Sequence, residues 1–321
     1  MRFLKSPLSP RWPGLYAPGM VVLSLTLNVI ALCLPFMDMR RGLSTEPYSL
    51  WASVRLLWES DLFVLAIVVV GFSMVFPFVK LAVMCSVLLG LVRAEQERPW
   101  LEFVERFGKW SMLDVFLVSI LLALANDQFW IEGTPQAGLM CFALAIVASM
   151  LTSRHMLARV GESTTPSRTL LRHPLRLALW QIALLILLIA AISVPYLEID
   201  DWLLEDHPVS ILSTISGLWN SGARGLSLTM LLFLVVAPLL ASIAGLVLIQ
   251  RSMRGRSIAA LREFVTRMRH WAMLDVFSLA LVIFMIEGRE FVRTDLTWGA
   301  LLLAVLLALY WPAASWYERH V

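Results

Sequence analysis

Two carboxylates occupy the same place in a repeated motif of this sequence. Asp114 lies in the octet KWSMLDVF at 109–116, and Asp275 lies in HWAMLDVF at 270–277. Each octet opens a run of apolar residues, and a charge at the centre of a membrane helix costs roughly 2.5–3.5 kcal/mol, less near the interface. Ionisable groups kept in such a place are candidates for proton transfer or for binding a polar headgroup.

A single lysine adds a positive charge to this set. Lys80 follows Pro77 by three residues and is the only lysine or arginine well inside an apolar segment, and its counterpart in the second copy is Ala241. Pro77 and the matching Pro238 each free a backbone carbonyl one turn earlier and let a helix bend. The functional hypothesis is that Lys80 and both aspartates line an internal, partly hydrated cleft that receives a lipid headgroup or relays protons. Lys80 would be the counter-charge for a phosphate or for Asp114.

The structural alternative is that each aspartate caps or braces a helix. Both carboxylates stand about one turn inside their apolar segments, where the positive helix end favours an acid, and either could bond a neighbouring helix. Both interpretations stay open from the sequence. Six further polar residues are weaker candidates for lining a polar path, since each could instead form a hydrogen bond within or between membrane helices. They are Ser73, Ser111, Ser119, Asn126, Ser242 and Ser278.

The composition places these residues in a membrane. The chain of 321 residues is 59% hydrophobic and 15% charged, with a mean hydropathy of +0.78, whereas water-soluble domains carry roughly 25% charged residues. The sequence therefore predicts an all-α, polytopic membrane protein. Apolar windows of about 17–25 residues indicate membrane-crossing helices, and eight are predicted, at roughly 16–37, 62–91, 111–128, 137–153, 177–197, 227–250, 271–287 and 296–314.

An internal duplication organises these eight segments. A shift of 161 residues without gaps superposes 102–116 on 263–277 with ten of fifteen positions identical, and it also places Gly138 on Gly299. We therefore predict two four-helix membrane repeats, 1–160 and 161–321. Because four spans return the chain to its starting side, the repeats should be related by an axis along the membrane normal.

Charge distribution predicts the orientation of the chain. The segments on the side of the N-terminus carry 19 Lys and Arg residues and the opposite loops carry 6. The positive-inside rule places the positive side, with both termini, in the cytoplasm. Short amphipathic helices are expected after Ser49 and Ser210 at the outer surface, and a second pair, near 101–107 and 261–268, on the cytoplasmic side.

These motifs together resemble the paraquat-inducible protein A family (PqiA/LetA-like). The resemblance rests on the duplicated W-x-MLDVF, on a proline in the second span of each half, and on a P-x-S-[LI] segment on the outer side. It covers nearly the whole chain. It implies a bacterial inner-membrane protein that works with a periplasmic MCE-domain protein in phospholipid transport. Many relatives carry a cysteine zinc ribbon ahead of each half, but residues 1–15 and the linker 153–176 contain no cysteine, so we expect no metal there.

Three functions compete at this point. A lipid transport subunit is expected first, with proton coupling as an open alternative, since no phosphate-binding loop for ATP occurs in the chain. A membrane anchor or assembly factor that only positions an MCE partner is the alternative. A redox enzyme is disfavoured because the three cysteines are unpaired and the five histidines lie in loops or tails. We therefore expect no enzymatic activity, no cofactor and no nucleic-acid partner.

Overall fold

A computed structural model of the chain describes residues 16–41, 44–59, 61, 63–126, 131–160, 174–199, 207–254, 258–287 and 294–320. The chain divides into two compact units, Met1–Ser163, called unit 1 here, and Thr164–Val321, called unit 2. Within the described residues both units are mainly helical, which confirms the predicted all-α class. Each unit also contains one small β-sheet that the sequence did not predict.

Unit 1 contains seven helices and three strands in its described part. The helices are α1 (Tyr16–Cys33), α2 (Leu50–Glu59), α3 (Phe63–Val69), α4 (Phe76–Leu88), α5 (Ala94–Gly108), α6 (Leu113–Asn126) and α7 (Ala137–Val160). The strands are β1 (Met37–Arg41), β2 (Ser44–Tyr48) and β3 (Ile131–Pro135). A π-helical segment, Val70–Val75, joins α3 to α4, and a 3₁₀ segment, Lys109–Met112, joins α5 to α6.

Unit 2 repeats this order of elements. Its helices are α8 (Pro174–Ser193), α9 (Ile211–Asn220), α10 (Arg224–Met230), α11 (Ala237–Met253), α12 (Ala259–Trp271), α13 (Leu274–Glu287) and α14 (Trp298–His320). Its strands are β4 (Leu197–Ile199), β5 (His207–Val209) and β6 (Thr294–Leu296). A second π-helical segment, Leu231–Val236, joins α10 to α11. Four elements of unit 2, namely α9, α10, this π segment and α13, have bounds that lie 161 residues after those of their counterparts in unit 1.

The π segments are the local response to the two prolines. Pro77 and Pro238 occupy the first turns of α4 and α11, and a proline has no N–H and its ring crowds the carbonyl four residues earlier. A wider turn relieves this crowding. The N–H of Phe76 donates to the carbonyl of Gly71, five residues back, and the N–H of Ala237 does the same to Leu232.

The two sheets connect the ends of distant helices. In unit 1 the central strand β1 pairs antiparallel with β2 and β3, so that Met37 lies opposite both Tyr48 and Pro135. In unit 2 the central strand β4 pairs in the same way with β5 and β6. Each sheet therefore ties the end of the first helix of its unit to the segment before the last helix.

The last helix of each unit begins at a close backbone approach. A Cβ added to Gly138 would lie 2.5 Å from the carbonyl oxygen of Pro35, and one added to Gly299 would overlap the carbonyl of Pro195. The N–H of Gly299 donates to that carbonyl at 2.9 Å. Only glycine allows this approach, which explains why the duplication places a glycine at both positions.

Six described segments are long and apolar enough to cross a membrane. They are Tyr16–Cys33, Ala66–Leu88, Ala137–Val160, Leu175–Ser193, Arg224–Met253 and Ala259–Ile286. Helix α6 has 14 residues, and the apolar stretch Trp298–Leu309 is also shorter than a typical span. The protein is therefore a multi-pass membrane protein, and these helices are compatible with the predicted count of eight.

Candidate functional site

Four buried polar side chains of unit 1 form the candidate site. Ser73 lies on the π segment, Lys80 on α4, Ser111 on the 3₁₀ segment and Asp114 at the start of α6. Their residues are 1%, 1%, 2% and 4% exposed, respectively. The polar side-chain atoms of all four lack a hydrogen-bond partner. Leaving such an atom buried without a partner costs about 1–3 kcal/mol.

The Lys80 ammonium lies against the backbone of α5. A Cβ added to Gly108 would lie 2.7 Å from Lys80 Nζ, so the lysine reaches this place only because residue 108 has no side chain. Among the described charged groups, the one that acts electrostatically on Lys80 is the Glu105 carboxylate, one turn earlier on α5. No ion pair joins the two groups, so Lys80 keeps its three N–H donors available.

Glu105 links this region to the last helix of unit 1. Its carboxylate lies 4.0 Å from Arg154 Nη1 on α7, and both side chains are largely buried. Burial raises the pKa of Glu105, and this effect exceeds the opposite influence of the Arg154 and Lys80 charges. Proton uptake by Glu105 is therefore easier than for an exposed glutamate.

Asp114 faces the Ser73 hydroxyl across the contact between α6 and the π segment, but the two do not reach hydrogen-bond geometry. The sequence offered Lys80 as a possible counter-charge for Asp114, and the structure does not bring these two residues into an ion pair. Lys80 neighbours Glu105 instead, because α4 places it one to two turns beyond the π segment that holds Ser73. The carboxylate and the ammonium are thus two separate unpartnered groups.

The other predicted site residues of unit 1 differ in how their side chains are placed. Pro77 is buried at the start of α4 and shapes the π segment beside the site. Ser119 donates from Oγ to the carbonyl of Val115 at 2.6 Å within its own helix, so its hydroxyl is already satisfied. Asn126 ends α6, and its side chain lies outside the described residues.

Unit 2 lacks an equivalent polar set in its described part. Asp275 is half-buried in the first turn of α13, and its carboxylate accepts a hydrogen bond from the N–H of the next residue, Val276, at 3.0 Å. Ser278 donates to the carbonyl of Leu274 at 2.8 Å, and the carbonyl of Ser242 accepts from Gln181. Pro238 is buried like its counterpart. The positions that correspond to Ser73, Lys80 and Ser111 are Leu234, Ala241 and Ala272.

An aromatic row beside the site was not predicted from the sequence. It runs along α5, crosses to α4 and the π segment, and ends on the 3₁₀ segment, in the order Trp100, Phe103, Phe107, Phe76, Phe72 and Trp110, with ring centroids 4.9–6.4 Å apart. The i, i+3 and i+4 spacing on α5 indicated an apolar face, but not the helix that it meets. In unit 2 one corresponding pair, Phe233 and Trp271, stacks at 5.4 Å.

This arrangement suits binding of an anion or transfer of a proton. A buried ammonium with free donors can bind phosphate oxygens, and a buried carboxyl beside a hydroxyl can take up and release a proton. No described residues form a group of three or more side chains that could hold a metal ion. The features define a polytopic membrane protein with four buried polar side chains in one of its two units, called the polar cluster of unit 1 below.

The family of the chain follows from comparison with known sequences. The profile of the family described as paraquat-inducible protein A matches residues 17–160 and 175–321, so the chain belongs to this family. The protein named intermembrane transport protein PqiA from Escherichia coli K12 is 32% identical over 153 residues, which cover 46% of this chain and 37% of that relative. A protein of the same name from Shigella flexneri matches equally. The match thus spans about a third of the length of these relatives, and no solved structure matches the chain significantly.

Proposed function

We propose that this protein is a membrane-embedded subunit of a phospholipid transport system. It moves lipid between the inner membrane and a periplasmic MCE-domain partner, and it has no enzymatic activity of its own. Two observations support the proposal. The relatives are named for intermembrane transport, and unit 1 holds a buried polar cluster within apolar helices.

The observation that carries the proposal is the unsatisfied state of this cluster. Ser73, Lys80, Ser111 and Asp114 have buried polar atoms without partners. Each such atom lowers stability, so a protein that only anchored another chain would gain from apolar residues at these places. A transport protein gains from them because they interact with a substrate or a proton that passes through.

The two charged groups take different roles in this proposal. Lys80 binds the phosphate of a lipid headgroup, since its ammonium has three donors and no protein acceptor. Asp114, beside the Ser73 hydroxyl, takes up and releases a proton and so couples lipid movement to a proton gradient. The aromatic row that includes Phe107 and Phe76 provides an apolar surface for the acyl chains next to the headgroup site.

The topology is part of the same proposal. Units 1 and 2 are tandem four-span repeats, residues 1–160 and 161–321, and both termini lie in the cytoplasm of a bacterial cell. Helices α5 and α12 then lie at the cytoplasmic interface, and α2 and α9 lie at the outer one. Single cysteines labelled with an impermeant maleimide in 93–109 and in 251–270 should react from the same side. Labelling from opposite sides would overturn the parallel arrangement.

Two substitutions at the site distinguish a transport function from an anchoring function. Lys80→Met should reduce transfer of fluorescent phosphatidylglycerol, from proteoliposomes that contain the protein to its MCE partner, by at least about tenfold, because it removes a charge-assisted interaction with the phosphate. Asp114→Asn should abolish the part of this transfer that an imposed proton gradient stimulates, because it removes the group that carries the proton. Binding of the partner should be unchanged. Arg267→Ala, which removes an exposed cation of α12, is the matched control. Full transfer by both site variants would favour the anchor function instead.

A further inference from the structure

A cation and a small residue exchange places between the two units. Unit 1 has Lys80 on α4 and Gly108 on α5, and the positions 161 residues later hold Ala241 on α11 and Arg269 on α12. Each unit therefore has one cation and one small residue at the junction between its proline-containing helix and its amphipathic helix. The cation comes from the first helix in unit 1 and from the second in unit 2.

Packing explains why both residues change together. In unit 1 the Lys80 ammonium fills the space in front of Gly108, where a Cβ would lie 2.7 Å from Nζ. A large residue at both positions would overpack the junction, at a cost of about 1–3 kcal/mol. In unit 2 the junction is again between packed helices, α11 and α12. Ala241 is buried there, and the position of α12 that corresponds to Gly108 is Arg269.

The two cations share a limited chemistry. Lysine and arginine side chains differ in shape and in the number of donors, and what they have in common is a positive charge with N–H groups that bind phosphate oxygens. Arg269 is half-buried and has an interaction of its own. Lys80 has no hydrogen-bond partner. Unit 1 is therefore the unit whose cation is available to a ligand.

We propose that the junction of α4 and α5 is a binding site for a phosphate group, formed by Lys80 over Gly108, and that Ala241 and Arg269 of unit 2 hold the same two residue types in transposed positions. The inference rests on the proposed function for the identity of the phosphate, which is that of a phospholipid headgroup. The role of Gly108 is to position the ammonium.

The test copies the arrangement of unit 2 into unit 1. Binding of fluorescent phosphatidylglycerol to the purified full chain in nonionic detergent is measured by fluorescence polarisation. Lys80→Ala should weaken binding by at least about tenfold, the loss of one charge-assisted hydrogen bond. The double variant Lys80→Ala with Gly108→Arg should recover most of this loss. The proposed transposition is wrong if the double variant has the same unfolding temperature as Lys80→Ala and binds the fluorescent lipid as weakly as Lys80→Ala does.

A second variant tests the site without removing the charge. Gly108→Ala keeps Lys80 but displaces its ammonium, and it should weaken binding several-fold. Gly217→Ala on α9 is the matched control, because no atom lies within 4 Å of an added Cβ there. Unchanged binding by Gly108→Ala and Lys80→Ala would overturn the phosphate site and the headgroup role of Lys80, whereas loss of gradient-stimulated transfer in Asp114→Asn would still support transport as the function. Competition by millimolar inorganic phosphate as strong as by unlabelled lipid would identify a free-phosphate site and overturn the headgroup assignment.

Discussion

Units 1 and 2 share their irregular backbone features and differ in their polar interior. Both have a π segment before a proline, a three-stranded sheet and a glycine at the start of the last helix. In the described residues, the buried side-chain atoms without hydrogen-bond partners all belong to unit 1. Asp275 of unit 2, by contrast, accepts a backbone hydrogen bond.

This difference distinguishes features that the fold requires in both units from features that are present in only one unit. Features present in both units are explained by local geometry, as the π segments are by Pro77 and Pro238. The buried polar atoms of Ser73, Lys80, Ser111 and Asp114, found only in unit 1 among the described residues, lower its stability. The polar cluster of unit 1 is therefore the part of the molecule in which a functional explanation is needed most.

The largest common effect should come from the shared glycines. Gly138→Ala and Gly299→Ala should each lower the free energy of unfolding by about 1–3 kcal/mol or more, because the new Cβ would meet backbone atoms. Thermal unfolding in detergent measures both, with Gly217→Ala as the control expected to be neutral or slightly stabilising. An effect on one glycine variant alone would show that the two junctions are not equivalent.

The aspartates should respond with opposite signs. Asp114→Leu should raise the free energy of unfolding by about 1–3 kcal/mol, because it removes a buried carboxylate without a partner. Asp275→Ala should lower it by about 0.3–1 kcal/mol, because it removes a negative charge from the first turn of α13. The same unfolding assay measures both changes. Shifts of the same sign would contradict the distinction between the two units.

A pH effect should be specific to unit 1. Since burial raises the pKa of Glu105, the folded state holds this proton more tightly than the unfolded state. The stabilisation is complete below the unfolded pKa of about 4.3 and is lost as pH rises toward the folded pKa, with a slope of at most about 1.4 kcal/mol per pH unit. Glu105→Gln should flatten the dependence of unfolding temperature on pH in this window. Thr266, its counterpart, offers the control Thr266→Val, which should leave the dependence unchanged.

The smallest effects should come from the exposed ion pairs of the amphipathic helices. Arg98 pairs with Glu102 on α5 at 2.8 Å, and Arg267 pairs with Glu263 on α12 at 2.6 Å. Arg98→Ala and Arg267→Ala should each change the free energy of unfolding by less than about 0.5 kcal/mol, since both pairs are largely exposed. A loss of more than about 1 kcal/mol in either variant would mean that its helix contributes more than surface contacts.

Elements with a local cause were predictable from the sequence. The repeat offset anticipated the shared element order, and Ser49 and Ser210 accept backbone N–H groups at the starts of α2 and α9 as expected of helix-capping residues. The prolines predicted a disturbed helix, although not its form as a π segment. The family resemblance was confirmed by the profile match.

Elements that depend on partners distant in sequence were not predictable. The six short strands have three to five residues each, and the pairings of β1 with β3 and of β4 with β6 form only because segments distant in sequence meet. The contact of Lys80 with Gly108 depends on how α4 packs against α5, so the sequence offered Asp114 as a counter-charge and did not identify Glu105 as the neighbour. The aromatic row has the same origin, since three of its five ring contacts join different elements.

The π segment of unit 1 also sets the angular position of the lysine. An α-helix advances about 100° per residue, and the wide turn at Val70–Val75 accommodates one extra residue at nearly the same height. Lys80 faces Gly108 only because the extra residue in this wide turn rotates the following part of the helix. Deletion of one residue between 70 and 75 would rotate the remainder of α4 by about a quarter of a turn and direct its cation away from α5. The wide turn before Pro77 thus sets the angular position of Lys80 in the proposed phosphate site.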